Sequence, residues 1–285
     1  METTILTSLI AASTSIFTVV ILKPLVDKHL LKFNLKQNHI AEQSKKVKEH
    51  IAHHKGKILK AADILNQRLK NFAKNHTETW LIIENSDYKK SNHYMDTFVY
   101  RFLSFFAEIK LLEKDLIYID TTIAQKNDLR MLKYFRLFHE VMCDVDLYEG
   151  LNYNKSYATD HFFTTPFYNF SNSITQNEKV IELDDFLQKK EQILPKIILI
   201  YKFFDSINPS EDRLRCERLK AFHLVLIAFL NEYGYDYQKT NNKKYVELKN
   251  SYGEYKLLDN LEKLVEKFKL NKFCGHIEKV IKKVK

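Results

Sequence analysis

The chain has 285 residues, 45% hydrophobic and 28% charged, which excludes a disordered polypeptide and is enough for a real core. Five Gly and four Pro exclude a turn-rich all-β fold and the glycine loops that cradle phosphates, while three widely spaced cysteines (Cys143, Cys216, Cys274) give neither a disulfide framework nor a metal-site spacing and suit a reducing compartment. The net charge of +9 belongs to one segment: residues 23–74 carry 13 Lys/Arg against four acids, whereas 75–285 hold 32 basic and 31 acidic groups.

In chain order, residues 3–22 (TTILTSLIAASTSIFTVVIL) come first and carry no charge. Twenty residues at about 1.5 Å rise span roughly 30 Å, the thickness of a hydrocarbon core. A signal peptide would have positive charge before the run and a small-x-small site after it; here Met1-Glu2 precedes it and Lys23-Pro24 comes after it. The reading is a retained anchor over 1–25. Lys23, Lys28, Lys32 and Lys36 flank only its C-terminal end, which places the N-terminus outside and the rest in the cytoplasm. Eight of the twenty residues are Ser or Thr. At 100° per residue Thr3, Thr4, Thr7, Ser8, Thr14, Ser15 and Thr18 share an arc of roughly 140°, opposite Leu6, Leu9, Phe17 and Val20. Two readings stay open: a small-residue packing seam, or a homo-oligomeric pore lined by Thr7, Thr14 and Thr18 with Thr3 at its outer end.

Residues 26–74 contain no Pro and only Gly56, and predict a long basic helix. Ile51, Ile58, Leu65 and Phe72 fall on one heptad row, with Val47, His54, Ala61 and Arg68 on its partner row. This weak seam faces either the next domain or copies of the helix. Lysines nearest the apolar run suit anionic inner-leaflet lipids, and those from Lys45 to Lys74 are free for a polyanion or for solvation. His50 and His54 are four apart with no third ligand evident nearby beyond Glu49, so no metal site is assigned and no cofactor is expected.

Residues 75–285 read as a helical bundle of five to seven helices: 96–119, 127–148, 189–207, 211–233, 256–268 and 271–284. Pro195 is expected in a first helical turn. TWLIIE (79–84) reads as a strand or a helical turn, and KVIEL (179–183) and KYVEL (244–248) as short strands of β-hairpins. The fold class is therefore mainly α, with an anchor (1–25), a basic helix (26–74) and a cytosolic helical domain (75–285).

None of the common nucleotide, metalloprotease, esterase or dithiol motifs occurs. RLKAFH (Arg218 to His223) matches the R-x4–6-H pattern of HEPN-type ribonucleases, a spacing that seven Arg and eleven His produce by chance. His223 also opens the apolar run HLVLIAFL, so a structural role is the simpler reading and no catalytic residue is assigned. Two aromatic and basic segments fit a nucleic-acid or nucleotide ligand: 157–170, with Tyr157 and His161 and with Lys155 beside it, and 233–256, with Lys239, Lys243, Lys244 and Tyr245. The alternatives are aromatics plugged into the bundle and an exposed linker.

The layout, carried by TTILTSLIAASTSIF and the basic helix behind it, resembles bacterial anti-phage membrane effectors, in particular the channel-type effector of Hailong defence systems. The resemblance implies a non-enzymatic oligomeric channel, controlled by a nucleic-acid oligomer that a partner nucleotidyltransferase makes. Competing expectations are a membrane-tethered sensor without conduction and a tethered helical ribonuclease.

Overall fold

The computed structural model describes residues 2–117, 126–153, 160–270 and 276–285. These fall into two units, one running to Glu49 and the other beginning at His50. The division lies inside the long helix, so residues 50–74 are part of the second unit.

The first unit is helical throughout its described length. Helix α1 (Glu2–Phe17) leads into a π-helical turn (Thr18–Leu22) and then into α2 (Lys23–Lys74). Pro24 accounts for the wide turn. It has no N–H to give the carbonyl of Val20, and in an α-helix its ring would strike that carbonyl. The Lys23 N–H instead reaches back five residues to the Thr18 carbonyl. A turn of this kind inserts one residue and rotates the remainder of the helix by roughly 100°. Every described side chain from Thr3 to His39 is exposed.

The second unit is built of helices around α3 (His93–Leu116) and α8 (Arg215–Tyr233). All side chains of α8 from Arg215 to Leu230 are buried, so this helix is wrapped by its neighbours on every side. Helix α3 starts where Asn92 caps it by accepting from the Met95 N–H at 3.0 Å, while Asp96 accepts from the Asn92 N–H at 3.2 Å. Its rings Phe102, Phe105 and Phe106 meet Phe138 of α4 (Lys126–Cys143), Phe204 of α7 (Lys190–Phe204) and Phe222 of α8, with centroids 4.9–6.1 Å apart. The stripe Ile51, Ile58, Leu65 and Phe72 is buried as its spacing predicts, and within this unit: Phe72 meets Phe98 of α3 and Tyr252 of α9 (Asn242–Tyr252).

Short elements fill the remainder. Helices α5 (Thr164–Phe170) and α6 (Leu183–Gln188) flank a hairpin of β1 (Thr175–Gln176) and β2 (Lys179–Val180), paired antiparallel with Thr175 opposite Val180. Its turn residues Asn177 and Glu178 both have positive φ, the type I′ geometry that matches strand twist. Helices α10 (Leu258–Lys267) and α11 (His276–Val284) close the chain.

Two expectations change, and TWLIIE takes the helical-turn reading of the two left open. KYVEL lies inside α9 instead of a strand, with Asn241 as its cap and Gly253 (φ 66°) ending it. TWLIIE holds a 3-10 turn at Thr79–Leu81. Pro195 sits at the sixth position of α7, past the first turn.

Candidate functional site

Two regions carry the functional expectations: the hydroxylated helix and the aromatic and basic segments of the second unit. In α1 the hydroxyls turn back onto their own helix. Thr7 Oγ1 donates to the Thr3 carbonyl at 3.0 Å, Thr14 to Ile10 at 2.8 Å and Thr18 to Thr14 at 2.8 Å; Ser8 and Ser13 donate to carbonyls three residues back. A hydroxyl proton satisfied this way can enter a hydrophobic medium without an orphaned donor. Thr3, Thr7, Thr14 and Thr18 are all exposed, as are Ile5, Leu9, Phe17, Val19 and Val20. Exposed apolar side chains continue past Pro24 through Leu25, Val26, Leu30, Leu31, Phe33 and Leu35. Among the described residues one helix, Thr7–Lys74, is long and apolar enough to cross a membrane, and none of its apolar window is buried. It has the length and composition of a membrane anchor or a signal sequence.

Lys155 and Tyr157 lie outside the described residues. His161 is buried, its Nδ1 is 2.7 Å from the Tyr153 hydroxyl, and burial, then the Arg218 charge, lowers its pKa. The aromatics beyond it divide: Phe162, Phe167 and Phe170 enter the core, while Phe163 and Tyr168 stay exposed. Tyr245 is a core side chain, with its hydroxyl accepting from Asn231 Nδ2 at 2.7 Å and Lys283 over its ring at 4.6 Å. It has no free face on which a base could stack. Lys239 pairs with Asp236 at 2.8 Å, and Lys243 and Lys244 are exposed in the first turn of α9. Lys244 repels Lys70 of α2, whose ammonium burial has already weakened; its pKa falls to about 8. The exposed stacked pair is Tyr235 and Tyr237, with ring centroids 5.7 Å apart.

Arg218 and His223 do not form a joint site. Arg218 is wholly buried over the Tyr148 ring, donating to the Tyr148 hydroxyl at 2.8 Å and to the Val141 and Asp144 carbonyls at 2.5 and 2.9 Å. His223 is held between the Tyr252 hydroxyl at 3.1 Å and Asn66 Oδ1 at 3.0 Å, and burial drives its pKa well below the usual histidine value. Both side chains tie helices together and neither reaches solvent, where an RNA phosphate would have to meet them. Burial likewise raises the Cys143 thiol to about 12 and raises Cys216 too, and both are free.

His50 and His54 gain a partner that spacing did not reveal. Asp115 of α3 lies 2.8 Å from His54 Nε2 and 3.7 Å from His50 Nδ1. No group of three His, Cys, Asp or Glu side chains suited to a metal ion occurs among the described residues.

A cleft of about 420 Å³ between α2, α3 and β2 was not anticipated. Its walls include Lys57, Lys60, Arg101 and Lys179 together with Glu108 and Glu182. The sequence did hold a partial signal for it: Arg101, Ser104 and Glu108 fall on one helical face, as do Lys57, Lys60 and Ile64. That these two faces meet is a tertiary fact. No family model, curated protein or solved structure matches the chain.

Proposed function

We propose that the protein is a membrane-anchored homo-oligomeric effector whose N-terminal helices assemble into an ion path across a bacterial inner membrane, controlled by a ligand at the helical second unit. One observation carries this reading: a helix exposed on all described faces from Thr3 to Phe17, greasy on one side and hydroxylated on the other. Surface of this kind is stable only when covered, by lipid on the apolar side and by other copies on the side where Thr7, Thr14 and Thr18 lie. Hydroxyls bonded back to their own carbonyls still present oxygen lone pairs outward, which suits cations and water in a narrow path. Lys23, Lys28, Lys32 and Lys36 then face the inner leaflet and fix the orientation with the second unit in the cytoplasm. The defence role and a partner nucleotidyltransferase are proposals that rest on the resemblance of layout.

The same back-bonding supports a second reading, in which the hydroxylated face is a dry seam between anchors. Replacing Thr7, Thr14 and Thr18 together by Leu separates the two. The pore reading expects ion flux in reconstituted liposomes to disappear while membrane insertion persists. Flux equal to that of the unmodified protein rejects the pore, and the absence of flux from both proteins leaves the tethered sensor.

A further inference from the structure

The apolar surface of the first unit does not stop where a bilayer does. Residues 3–22 span roughly 30 Å, the thickness of the hydrocarbon core. Leu25, Val26, Leu30, Leu31, Phe33 and Leu35 come after Lys23 and expose apolar side chains over about 16 Å more of helix. Lys23, Lys28, Lys32 and Lys36 hold this stretch at the headgroups and beyond them, where no acyl chain covers it. Water is a costly alternative, because each such side chain gains about 1.5–3 kcal/mol when fully buried.

The arrangement of these side chains says what covers them. At 100° per residue Val26, Leu30 and Phe33 share one stripe roughly 60° wide, and Leu31 and Leu35 form a second; the stripe centres lie roughly 150° apart across one side of the helix and roughly 210° apart across the other. The narrower side holds Asp27, Asn34 and Asn38, and the wider side holds Lys28, Lys32 and Lys36 around Leu25; all are exposed. A single stripe suits a two-helix seam. Two unlike stripes give each helix two neighbours, and contact between unlike faces of identical chains closes into a ring. In a closed ring the two contacts of each helix enclose less than a straight angle on the lumen side, so the narrower side faces inward.

The π turn fits this orientation. It sets the residues after Pro24 back by roughly 100°. Lys28, Lys32 and Lys36 then come level with Leu9 and Phe17, on the side given to lipid. Val26, Leu30 and Phe33 come level with Thr7, Thr14 and Thr18, on the side given to other copies. Without the turn the lysines would continue the threonine row.

We propose that residues 25–38 are an interaction surface for further copies of this chain. Val26, Leu30 and Phe33 of one copy pack on Leu31 and Leu35 of the next in a closed ring of more than two, with Asp27, Asn34 and Asn38 on its inner wall and the lysines on its outer wall. Asp27 is the one acid between Glu2 and Glu42, so the ring gathers one carboxylate per copy, which draws cations in and keeps anions out. The ring rests on the anchorage and self-association proposed above and names the surface that makes them.

The test is oxidative cross-linking of the full-length protein in liposomes, with Cys274→Ser as background and the other two thiols buried. Leu31→Cys and Phe33→Cys should each stay monomeric on a non-reducing gel. Equal positions on neighbouring helices are an interaxial distance of roughly 8–10 Å apart, and a disulfide closes only below about 7 Å. The double variant Leu31→Cys/Phe33→Cys should give a ladder that passes the dimer. Both positions are exposed, so the second-unit unfolding transition should be unchanged and serves as the check that the chain is folded. A double variant that stops at the dimer or stays monomeric overturns the proposal, as does a single variant that cross-links as strongly as the double. Nitroxides on Lys28→Cys and Asp27→Cys read the two sides. A nickel-chelating lipid headgroup should relax the label at 28 more strongly than the label at 27, and equal or reversed relaxation overturns the inward acid. Flux reads conduction and the ladder reads contact, so either proposal can fail alone. A ladder without flux keeps the ring and removes the ion path; flux with a ladder that stops at the dimer removes the ring and leaves the path to α1.

Discussion

The two units treat their polar side chains in opposite ways. In the first, the hydroxyls of Thr7, Ser8, Ser13, Thr14 and Thr18 bond within their own helix, each to a carbonyl three or four residues back. In the second, charges are taken inside and used as cross-links. Lys190 of α7 reaches Asp96 of α3 at 2.7 Å, and Tyr201 donates to the same carboxylate at 2.8 Å. Glu217 and Lys220 of α8 pair at 2.6 Å, and each also bonds the backbone at 254–256. The second unit buries its apolar side chains within itself, while the described apolar side chains of the first, such as Leu9, Phe17 and Val20, stay exposed. Mutations should therefore separate the two: core polar changes should unfold the second unit, and changes in the first should alter assembly without touching that transition.

The largest effect is expected at Arg218. Arg218→Met keeps most of the apolar stem over Tyr148 but strands the Val141 and Asp144 carbonyls, while the Tyr148 hydroxyl loses one donor and still donates to the Asp160 carbonyl. Leaving a buried carbonyl without a donor costs about 1–3 kcal/mol, so the two together cost roughly 2–6 kcal/mol. Denaturant unfolding of the full chain in detergent should show the second-unit transition falling by that amount. A loss under about 1 kcal/mol would mean that Arg218 is not the tie its geometry describes.

An intermediate effect is expected from acid. His139 is enclosed by the Phe106, Phe167 and Tyr168 rings, and neither ring nitrogen has a partner. Burial, then the Arg136 and Lys110 charges, lowers its pKa from 6.5 to about 4. Between those values the unfolded chain binds a proton that the folded chain refuses. Stability is then full above pH 6.5 and falls toward pH 4 at about 1.4 kcal/mol per pH unit. His223 acts in the same direction. The difference between wild type and His139→Phe isolates one group. It should be flat above pH 6.5 and shift by about 2 kcal/mol in favour of the variant by pH 5. A pH-independent difference would show that the imidazole is not sealed from protons.

How far each region could be read in advance depends on how local its causes are. The apolar run, the basic helix, the stripe Ile51–Phe72 and the long helices around Phe102, Phe138 and Phe222 rest on periodicity, which one sequence displays. KYVEL looked like a strand because Tyr and Val favour strands, but Asn241 and Gly253 cap it as a helix. Tyr245 and His161 looked available for a ligand because aromatic and basic residues alternate around them. Tyr245 is held by Asn231 of α8 and Lys283 of α11, and His161 by Tyr153 eight residues before it, contacts that the alternation of residue types does not show. The cleft shares that origin: its cations were visible singly, but their convergence with Glu108 required the pairing of α2 with α3.

The smallest effect on stability, and the sharpest test of the first unit, concerns Pro24. The π turn exists because this residue lacks an N–H, so Pro24→Ala should restore the bond to the Val20 carbonyl and let α1 run into α2 without a wide turn. Residues after 24 would then rotate by roughly 100° relative to Thr14 and Thr18. The second-unit unfolding transition should stay within about 0.5 kcal/mol of wild type, because nothing in that unit depends on the turn. In the proposed assembly of copies, single cysteines placed in turn at 25–31 should change their disulfide cross-linking pattern by one position, whereas a cysteine at Thr14 should cross-link as before. Cys143 and Cys216 are buried, so they leave such a scan undisturbed, and Cys274→Ser removes the third thiol. An unshifted pattern would mean that the seam below Pro24 is set by the lysines and lipid headgroups, with the proline merely tolerated. A shifted pattern would mean that the π turn determines which face of α2 continues the hydroxylated side of α1.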